Sequence, residues 1–273
     1  MSIDRDGFLS PDIIQAREEN RARHASEFEM VAEFNREAQF ALLTVGTLPR
    51  TKQNLFASGY YIRGLQSLQG AVLVAELGLM SEGYTLLRSG LETLFHLGAT
   101  ISSDDFVEHL ARDHVKRMRT TIGGYKKAVT DPEVDTTDLE ALLASMLPDG
   151  VDPGTMSIEA VAKRADLSPL YDGAYRSLSH AHAHPSLLSL ASIWEKDDDH
   201  QTSGVRWGPE RGDDDELPTF LMLVCTVMFY FLVQWARLLV KVHGGEGELH
   251  KRIEQVAVKH RASLGQLSSG TTG

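Results

Sequence analysis

Arg176 and the histidines that follow it are the residues of this chain best suited to chemistry. In the segment YRSLSHAHAHPS, Arg176 is followed by His180, His182 and His184. An imidazole exchanges a proton near neutral pH and a guanidinium binds phosphate, so the pair can catalyse acid–base reactions on an anionic substrate. In a helix, Arg176, His180 and His184 would share one face. His182 would lie about 120° away from them, and the spacing leaves open which imidazole acts with Arg176.

A second polar group interrupts an apolar helix, LLRSGLETLFHL, in which Arg88, Glu92 and His96 recur at four-residue intervals. Charges set among core residues are costly unless they are paired. We therefore expect Glu92 to be paired inside the bundle with Arg88, Arg176 or Gln234. Either this is a structural Arg–Glu clamp, or Glu92 orients an imidazole of the histidine-rich segment.

The same residues also allow readings without catalysis. His180 and His184 can cap the last carbonyls of their helix while Arg176 pairs with a carboxylate. Glu92 and His96 could face His180 and His184 across two helices as a metal site. Two-metal sites in helical bundles use several carboxylates, whereas Glu92 is the single carboxylate of this set. No metal and no cofactor are therefore expected. The sequence contains no Walker loop, dinucleotide glycine pattern, G-x-S-x-G or HExxH motif.

The segment DDFVEHLARDHVKRMRTTIGGYKK predicts a helix with a basic face. The basic residues are His109, Arg112, Lys116, Arg119, Lys126 and Lys127. A solvated surface explains such a face. If the protein binds RNA, Arg112, Lys116 and Arg119 are where the phosphate backbone would lie.

Helical periodicity dominates the chain and predicts an all-α fold, a single multi-helix bundle. The expected helices cover residues 10–45 (one or two helices), 53–77, 84–101, 104–127, 139–146, 157–164, 168–183, 218–243 and 246–263. We expect one domain over residues 10–265, with the turn-rich DGVDPGT near 149–156 as the best internal boundary. A polar, acidic loop or small hairpin is expected near 195–217, with Gly204 to Gly208 as the candidate hairpin. Residues 266–273 are expected to be a disordered tail.

Composition limits the function classes. The 273 residues carry a net charge of −11, and Glu195 to Glu216 contributes nine acidic against three basic side chains. The rest is only mildly acidic, which argues against a broad nucleic-acid footprint but allows a small basic site. Cys225 is the single cysteine, so no disulfide can form within the chain. With no apolar signal segment at the N-terminus, a cytoplasmic location is expected.

The run from Thr219 to Ala236 carries no charge and is long enough to cross a bilayer. In the predicted helix 218–243, which contains this run, the polar residues fall on one narrow stripe: Thr219, Thr226, Tyr230, Gln234, Arg237 and Lys241. A polar stripe on an otherwise apolar helix is typical of the centre of a helical bundle. We therefore expect no membrane contact, and Gln234 is a candidate binding residue of the bundle interior.

The order of these segments resembles an uncharacterised family of bacterial all-helical proteins of unknown function. The resemblance covers roughly Gln53 to Lys241: an Arg-x3-Glu helix after a glycine turn, then Tyr-Arg-x2-Ser and a histidine near Pro or Ser. The matching residues are Arg88, Glu92, Tyr175, Arg176 and Ser179. His182 and His184 both lie where the family histidine is expected.

More remotely, Arg176 and His182 fit the Arg-x4–6-His spacing of HEPN-type helical ribonucleases, which resemble toxins and defence effectors that cleave RNA without metal. This resemblance implies that Arg176 binds phosphate and that His182 or His184 is the acid–base group, with Glu92 and Tyr175 orienting them. It also implies RNA as substrate, and a homodimer or an antitoxin-like protein as partner. The competing readings are a non-catalytic ligand- or protein-binding bundle and, third, a metal-binding bundle.

Overall fold

The computed structural model describes residues 3–43, 48–128, 156–181, 194–196, 202–205, 216–244 and 248–259, with the isolated positions 137, 138, 141 and 145. Helices make up nearly all of the described residues, which confirms the all-α fold. They are α1 (Ile3–Asp6), α2 (Ile13–Arg23), α3 (Ala25–Leu43), α4 (Lys52–Ala75), α5 (Met80–Ser102), α6 (Phe106–Ala128), α7 (Ile158–Arg164), α8 (Ser168–Leu170), α9 (Arg176–Ala181), α10 (Leu217–His243) and α11 (Glu248–Lys259). A 3-10 turn, Gly7–Leu9, follows α1, and a π turn, Tyr171–Tyr175, joins α8 to α9.

Helices α4 and α5 form an antiparallel pair, and α5 carries the candidate residues Arg88 and Glu92. The Thr51 hydroxyl caps α4 by accepting from the amide of Asn54 at 3.1 Å. Gly78, with φ of 83°, turns the chain between the two helices. Helix α5 begins four residues before the predicted start at Tyr84, because Gly83 lies inside the helix, where a Cβ would be 3.1 Å from the Phe220 ring.

Helix α10 runs through the core and packs on α3, α4 and α5. The Phe231 ring fills the space left by Gly64 of α4, where a Cβ would lie 2.0 Å from a ring carbon. Trp235 stacks on Tyr61 with 4.4 Å between ring centroids, and its indole N–H donates to the Ala41 carbonyl at 3.1 Å. The predicted bounds of this helix are confirmed to within one residue.

Among the described helices, α10 is the one long and apolar enough to cross a membrane, by length and composition only. More than half of its most apolar stretch is buried in the protein. A core helix of a globular protein has the same properties, so this is weak evidence for a membrane span. The absence of membrane contact stays a prediction.

The N-terminal helix α2 is fastened to the end of α4 by a buried carboxylate that the sequence analysis did not single out. Glu76 is 1% exposed. Its carboxylate pairs with Arg17, at 2.6 Å from Nε, and with Arg21. The Asn20 side chain donates to the Glu76 carbonyl at 3.2 Å. Helix α2 starts at Ile13, three residues after the predicted start at residue 10, since the Ser10 hydroxyl accepts from the Asp12 amide in a preceding turn.

Helix α7 leads into the segment that carries Arg176. The Ser157 hydroxyl accepts from the amide of Ala160 at 3.2 Å, the predicted start of this helix. Ala165 then packs against Gly98 of α5, where a Cβ would lie 2.7 Å from its methyl group. Asp166 adopts a positive φ of 59° and turns the chain toward α8.

Two strands form the predicted hairpin, earlier than Gly204 to Gly208. β1 (Trp194–Lys196) and β2 (Thr202–Val205) pair antiparallel, with Trp194 opposite Val205. The predicted helix at 139–146 lies outside the continuously described ranges, as do the boundary residues before Met156 and the tail at 266–273. The division into one domain over 10–265 stays a prediction.

Candidate functional site

Tyr175 connects the π turn to α5 through two hydrogen bonds. Its hydroxyl donates to Glu92 Oε1 at 2.7 Å and accepts from Arg88 Nη2 at 3.0 Å. The same Arg88 nitrogen lies 2.9 Å from Glu92 Oε1. The guanidinium carbon is 5.2 Å from the centroid of the Tyr175 ring. Arg88, Glu92 and Tyr175 therefore form a closed set, here called the Arg–Glu–Tyr network.

Partial burial sets the electrostatics of this network. Tyr175 is 7% exposed, and the Arg88 and Glu92 side chains are 24% and 34% exposed. Burial, followed by the hydrogen bond to Glu92, raises the pKa of Tyr175. The hydroxyl thus stays protonated near neutral pH and remains the donor to the carboxylate. Arg88 Nε is shielded from solvent and has no hydrogen-bond partner in the described part of the chain.

The π turn determines how the segment with Arg176 sits on α5. The Arg176 amide donates to the Tyr171 carbonyl, five residues back, instead of to the residue four back as in an α-helix. Tyr171 and Tyr175 stack with 5.3 Å between centroids. Both rings meet Phe95 of α5 edge-on, at 6.3 and 5.8 Å. The turn therefore docks an aromatic pair onto α5, and α9 starts from it.

Helix α9 presents Arg176 and His180 to solvent and Leu178 to the core. The Arg176 side chain is 59% exposed, and its Nη1 lies 3.6 Å from a carboxylate oxygen of Asp172, one turn earlier. This is a long, solvated ion pair of the kind that contributes little free energy. Arg176 and His180 are thus one helical turn apart on an exposed face, as their four-residue spacing predicts.

The structure brings together part of the predicted site. Glu92 is paired with Arg88 as predicted, and Tyr175 is its second partner. Of the two other candidates for pairing with Glu92, Arg176 instead lies beside Asp172, and Gln234 does not reach the carboxylate. Gln234 is 1% exposed, and its Oε1 lacks a partner among the described residues.

His182 and His184 lie outside the described residues, so the choice between His180, His182 and His184 stays open. His96 lies one turn beyond Glu92 and makes different contacts. Its Nδ1 donates to the Glu92 carbonyl at 2.8 Å, because a carbonyl oxygen can only accept.

The His96 ring lies between Tyr60 of α4, 5.4 Å away, and Phe106 of α6, 6.1 Å away. Burial, together with the nearby Asp113 carboxylate, raises the pKa of Tyr60 to about 12. Asp113 Oδ2 accepts from Arg117 at 2.6 Å, while its Oδ1 is buried without a partner in the described ranges. No sequence spacing indicated the Tyr60–Asp113 pair, because the two residues belong to different helices.

The predicted basic residues Arg112, Lys116 and Arg119 lie on one face of α6. Arg112 is 3.9 Å from Glu108, and Arg119 is exposed. His109, also predicted on this face, instead bonds Asp105 at 3.0 Å.

The described residues contain no group of three His, Cys, Asp or Glu side chains placed to hold a metal ion. The proposed Glu92, His96, His180 and His184 set cannot be assembled from them. His184 lies outside the described ranges, and the described contacts of His96 and Glu92 are to different helices.

No curated protein and no solved structure was found to match this chain. The model of one protein family matches residues 54–201. The matched range begins with α4, next to the predicted start at Gln53, and ends before the predicted limit at Lys241. It contains the Arg–Glu–Tyr network and α9. Because the match covers more than half of the sequence, the chain belongs to the family of unknown function DUF5677.

Proposed function

We propose that this protein is a metal-independent endoribonuclease of the HEPN-like kind, with Arg176 as its phosphate-binding group. One observation carries the proposal: an exposed arginine stands at the start of a helix whose preceding residue is anchored by the Arg–Glu–Tyr network. Anchoring Tyr175 limits the positions open to Arg176, and a positioned cation stabilises charge that develops in a transition state. The resemblance to HEPN-type ribonucleases also implies a toxin- or defence-type effector.

The proposed reaction is an internal transesterification of RNA. An imidazole of the histidine-rich segment takes the proton of a ribose 2′-hydroxyl, and the 2′-oxygen bonds to the adjacent phosphorus. Arg176 stabilises the negatively charged phosphorane. The bond from phosphorus to the 5′-oxygen then breaks, and that oxygen takes up the proton that the imidazole accepted from the 2′-hydroxyl. The products are a 2′,3′-cyclic phosphate and a free 5′-hydroxyl.

The test is cleavage of a defined single-stranded RNA by the full chain in EDTA, with the cyclic phosphate end detected directly. We expect Arg176→Ala to slow cleavage by about 10²-fold or more. The exposed Arg63→Ala on α4 serves as a matched control and should leave the rate unchanged. His180→Ala, His182→Ala and His184→Ala, made separately, identify the imidazole by the largest loss. Absence of cleavage, or equal rates for wild type and Arg176→Ala, overturns the proposal.

The second candidate is a non-catalytic binding bundle, favoured by the observation that Arg88, Glu92 and Tyr175 satisfy one another. A network of this kind can serve stability alone. In that case Glu92→Ala lowers the melting temperature while RNA stays intact with both the variant and the wild type.

A further inference from the structure

Helix α6 is positively charged in a negatively charged protein. Residues 106–128 contain six lysines and arginines against two acidic residues, whereas the whole chain carries a net charge of −11. The remainder of the chain is therefore more acidic than the total suggests. A polyanion that approaches this protein is attracted to α6 and repelled elsewhere.

The cations of α6 differ in how closely they are paired with carboxylates. Arg117 is bound to Asp113 through Nε at 2.6 Å. Arg112 lies 3.9 Å from the exposed carboxylate of Glu108, too far for a hydrogen bond. Arg119 is exposed to solvent. Arg112 and Arg119, which share one side of α6, are thus less closely paired than Arg117.

Helical phase gathers these residues into one surface. Arg112, Lys116 and Arg119 are spaced by four and three residues, which places them on one face over about 10 Å of helix. Gly123 continues this face one turn further, and no atom lies within 4 Å of where its Cβ would be. A glycine inside a helix costs about 1 kcal/mol relative to alanine, and here it leaves the helix backbone bare.

The apolar residues of α6 lie on a different side of the helix from the basic face. Val115 and Ile122 are 1% and 8% exposed and form a small apolar cluster with Met118. Their side of the helix is centred about 100° from the basic face. The buried side of α6 is thus the apolar one, and the basic face is turned away from it.

We propose that the basic face of α6, formed by Arg112, Lys116, Arg119 and Gly123, is a docking surface for the phosphate backbone of single-stranded RNA. The proposal rests on the proposed function, since it names where that substrate binds. Guanidinium and ammonium groups bind phosphate oxygens, and the bare helix at Gly123 allows close approach of the strand. Arg176 would act on the scissile phosphate, while α6 would hold phosphates at a distance from it.

The test is fluorescence anisotropy of a labelled single-stranded RNA with the full chain over a range of salt concentrations. We expect the triple variant Arg112→Gln, Lys116→Gln, Arg119→Gln to bind at least tenfold more weakly at low salt. Its slope of log affinity against log salt should fall by about 2, since each phosphate contact on a single strand contributes about 0.7. The control is Arg63→Gln, Lys163→Gln, Lys251→Gln, which removes the same charge from exposed positions on α4, α7 and α11.

A wild-type protein that does not bind the RNA, or a loss of affinity no larger than in the control, overturns the docking surface. The two proposals fail separately. The α6 variant should lose chiefly affinity, so that its cleavage deficit shrinks as RNA approaches saturation. Arg176→Ala should lose chiefly cleavage rate, by about 10²-fold, even at saturating RNA. If Arg176→Ala cleaves at the wild-type rate, the proposed function is wrong, and the docking surface is still judged on affinity alone.

Discussion

Tyr175 uses both capacities of its hydroxyl, donating to Glu92 and accepting from Arg88. A phenol held from both sides has little freedom to rotate or shift. Since Arg176 is the next residue, these two hydrogen bonds fix the chain to α5 immediately before α9 begins. The network therefore positions Arg176 without touching it.

At this scale we predict that Tyr175→Phe lowers the free energy of unfolding by about 1–2 kcal/mol, measured by urea denaturation. The change removes two hydrogen bonds at a largely buried position but keeps the ring and its packing on Phe95. Tyr171→Phe is the control, because the Tyr171 ring stacks on the Tyr175 ring and its hydroxyl has no hydrogen bond to a described residue. It should change stability by less than about 0.5 kcal/mol. Equal losses in the two variants would show that the hydroxyl contacts are not what stabilises the π turn.

The sequence was sufficient to predict the Arg88–Glu92 pair but not the hydrogen bond between Tyr175 and Glu92. Two charges four residues apart in a helix must be neighbours, whatever else the fold does. The contact of Tyr175 with Glu92 joins residues 83 positions apart. It depends on a π turn for which YDGAY carries no recognisable signal.

Two glycines of α4 illustrate how an element is shaped by its neighbours. Gly64 faces α10 and leaves room for the Phe231 ring, while Gly59 faces open space. Both have the same intrinsic cost in a helix, but only Gly64 is required by packing. Sequence alone does not separate them, because the difference lies in a helix more than 150 residues away.

We predict opposite effects for the same substitution at these positions. Gly64→Ala should destabilise the protein by about 1–3 kcal/mol, because the added methyl group forces Phe231 or the helix axis to move. Gly59→Ala should stabilise it by about 0.5–1 kcal/mol through helix propensity. Thermal and urea unfolding measure both. Stabilisation by Gly64→Ala would mean that α4 and α10 are not in close contact at this point.

Helix limits were predictable where local chemistry decides them. The predicted helices 157–164 and 218–243 match α7 and α10 to within one residue, and a capping serine, a proline and a glycine stand at these limits. The predicted start of α5 was wrong. Gly83 suggested a turn, but it lies inside the helix and permits contact with Phe220. Tertiary packing outweighed the local preference of glycine.

For the molecule as a whole, Glu76 is the point at which the N-terminal helix is fastened to the bundle. Its carboxylate is almost entirely buried, and the paired Arg17 and Arg21 side chains are 43% and 49% exposed. Arg21 and Arg17 lie 55 and 59 positions from Glu76 in the sequence, so no local pattern predicts their contact. Removing either charge sign leaves the other without a partner at the edge of the core.

Glu76→Gln is expected to lower the free energy of unfolding by about 3 kcal/mol and to release α2. Chemical denaturation measures the first effect, and faster amide hydrogen exchange in residues 13–23 measures the second. Glu29→Gln provides the comparison, because its pair with Arg36 is exposed on both sides and should contribute less than about 1 kcal/mol. Unchanged exchange in α2 would contradict the anchoring role of Glu76.

The π turn at Tyr171–Tyr175 also has a consequence for comparing homologues. It holds one residue more than an α-helical turn of the same height. A relative that lacks one residue here can form a regular α-helical turn of the same height, and the side chains after the gap then keep their orientation relative to α5. A single-residue deletion in an alignment at this point would therefore mark a relative without the π turn, in which the residue aligned with Arg176 still occupies the same place.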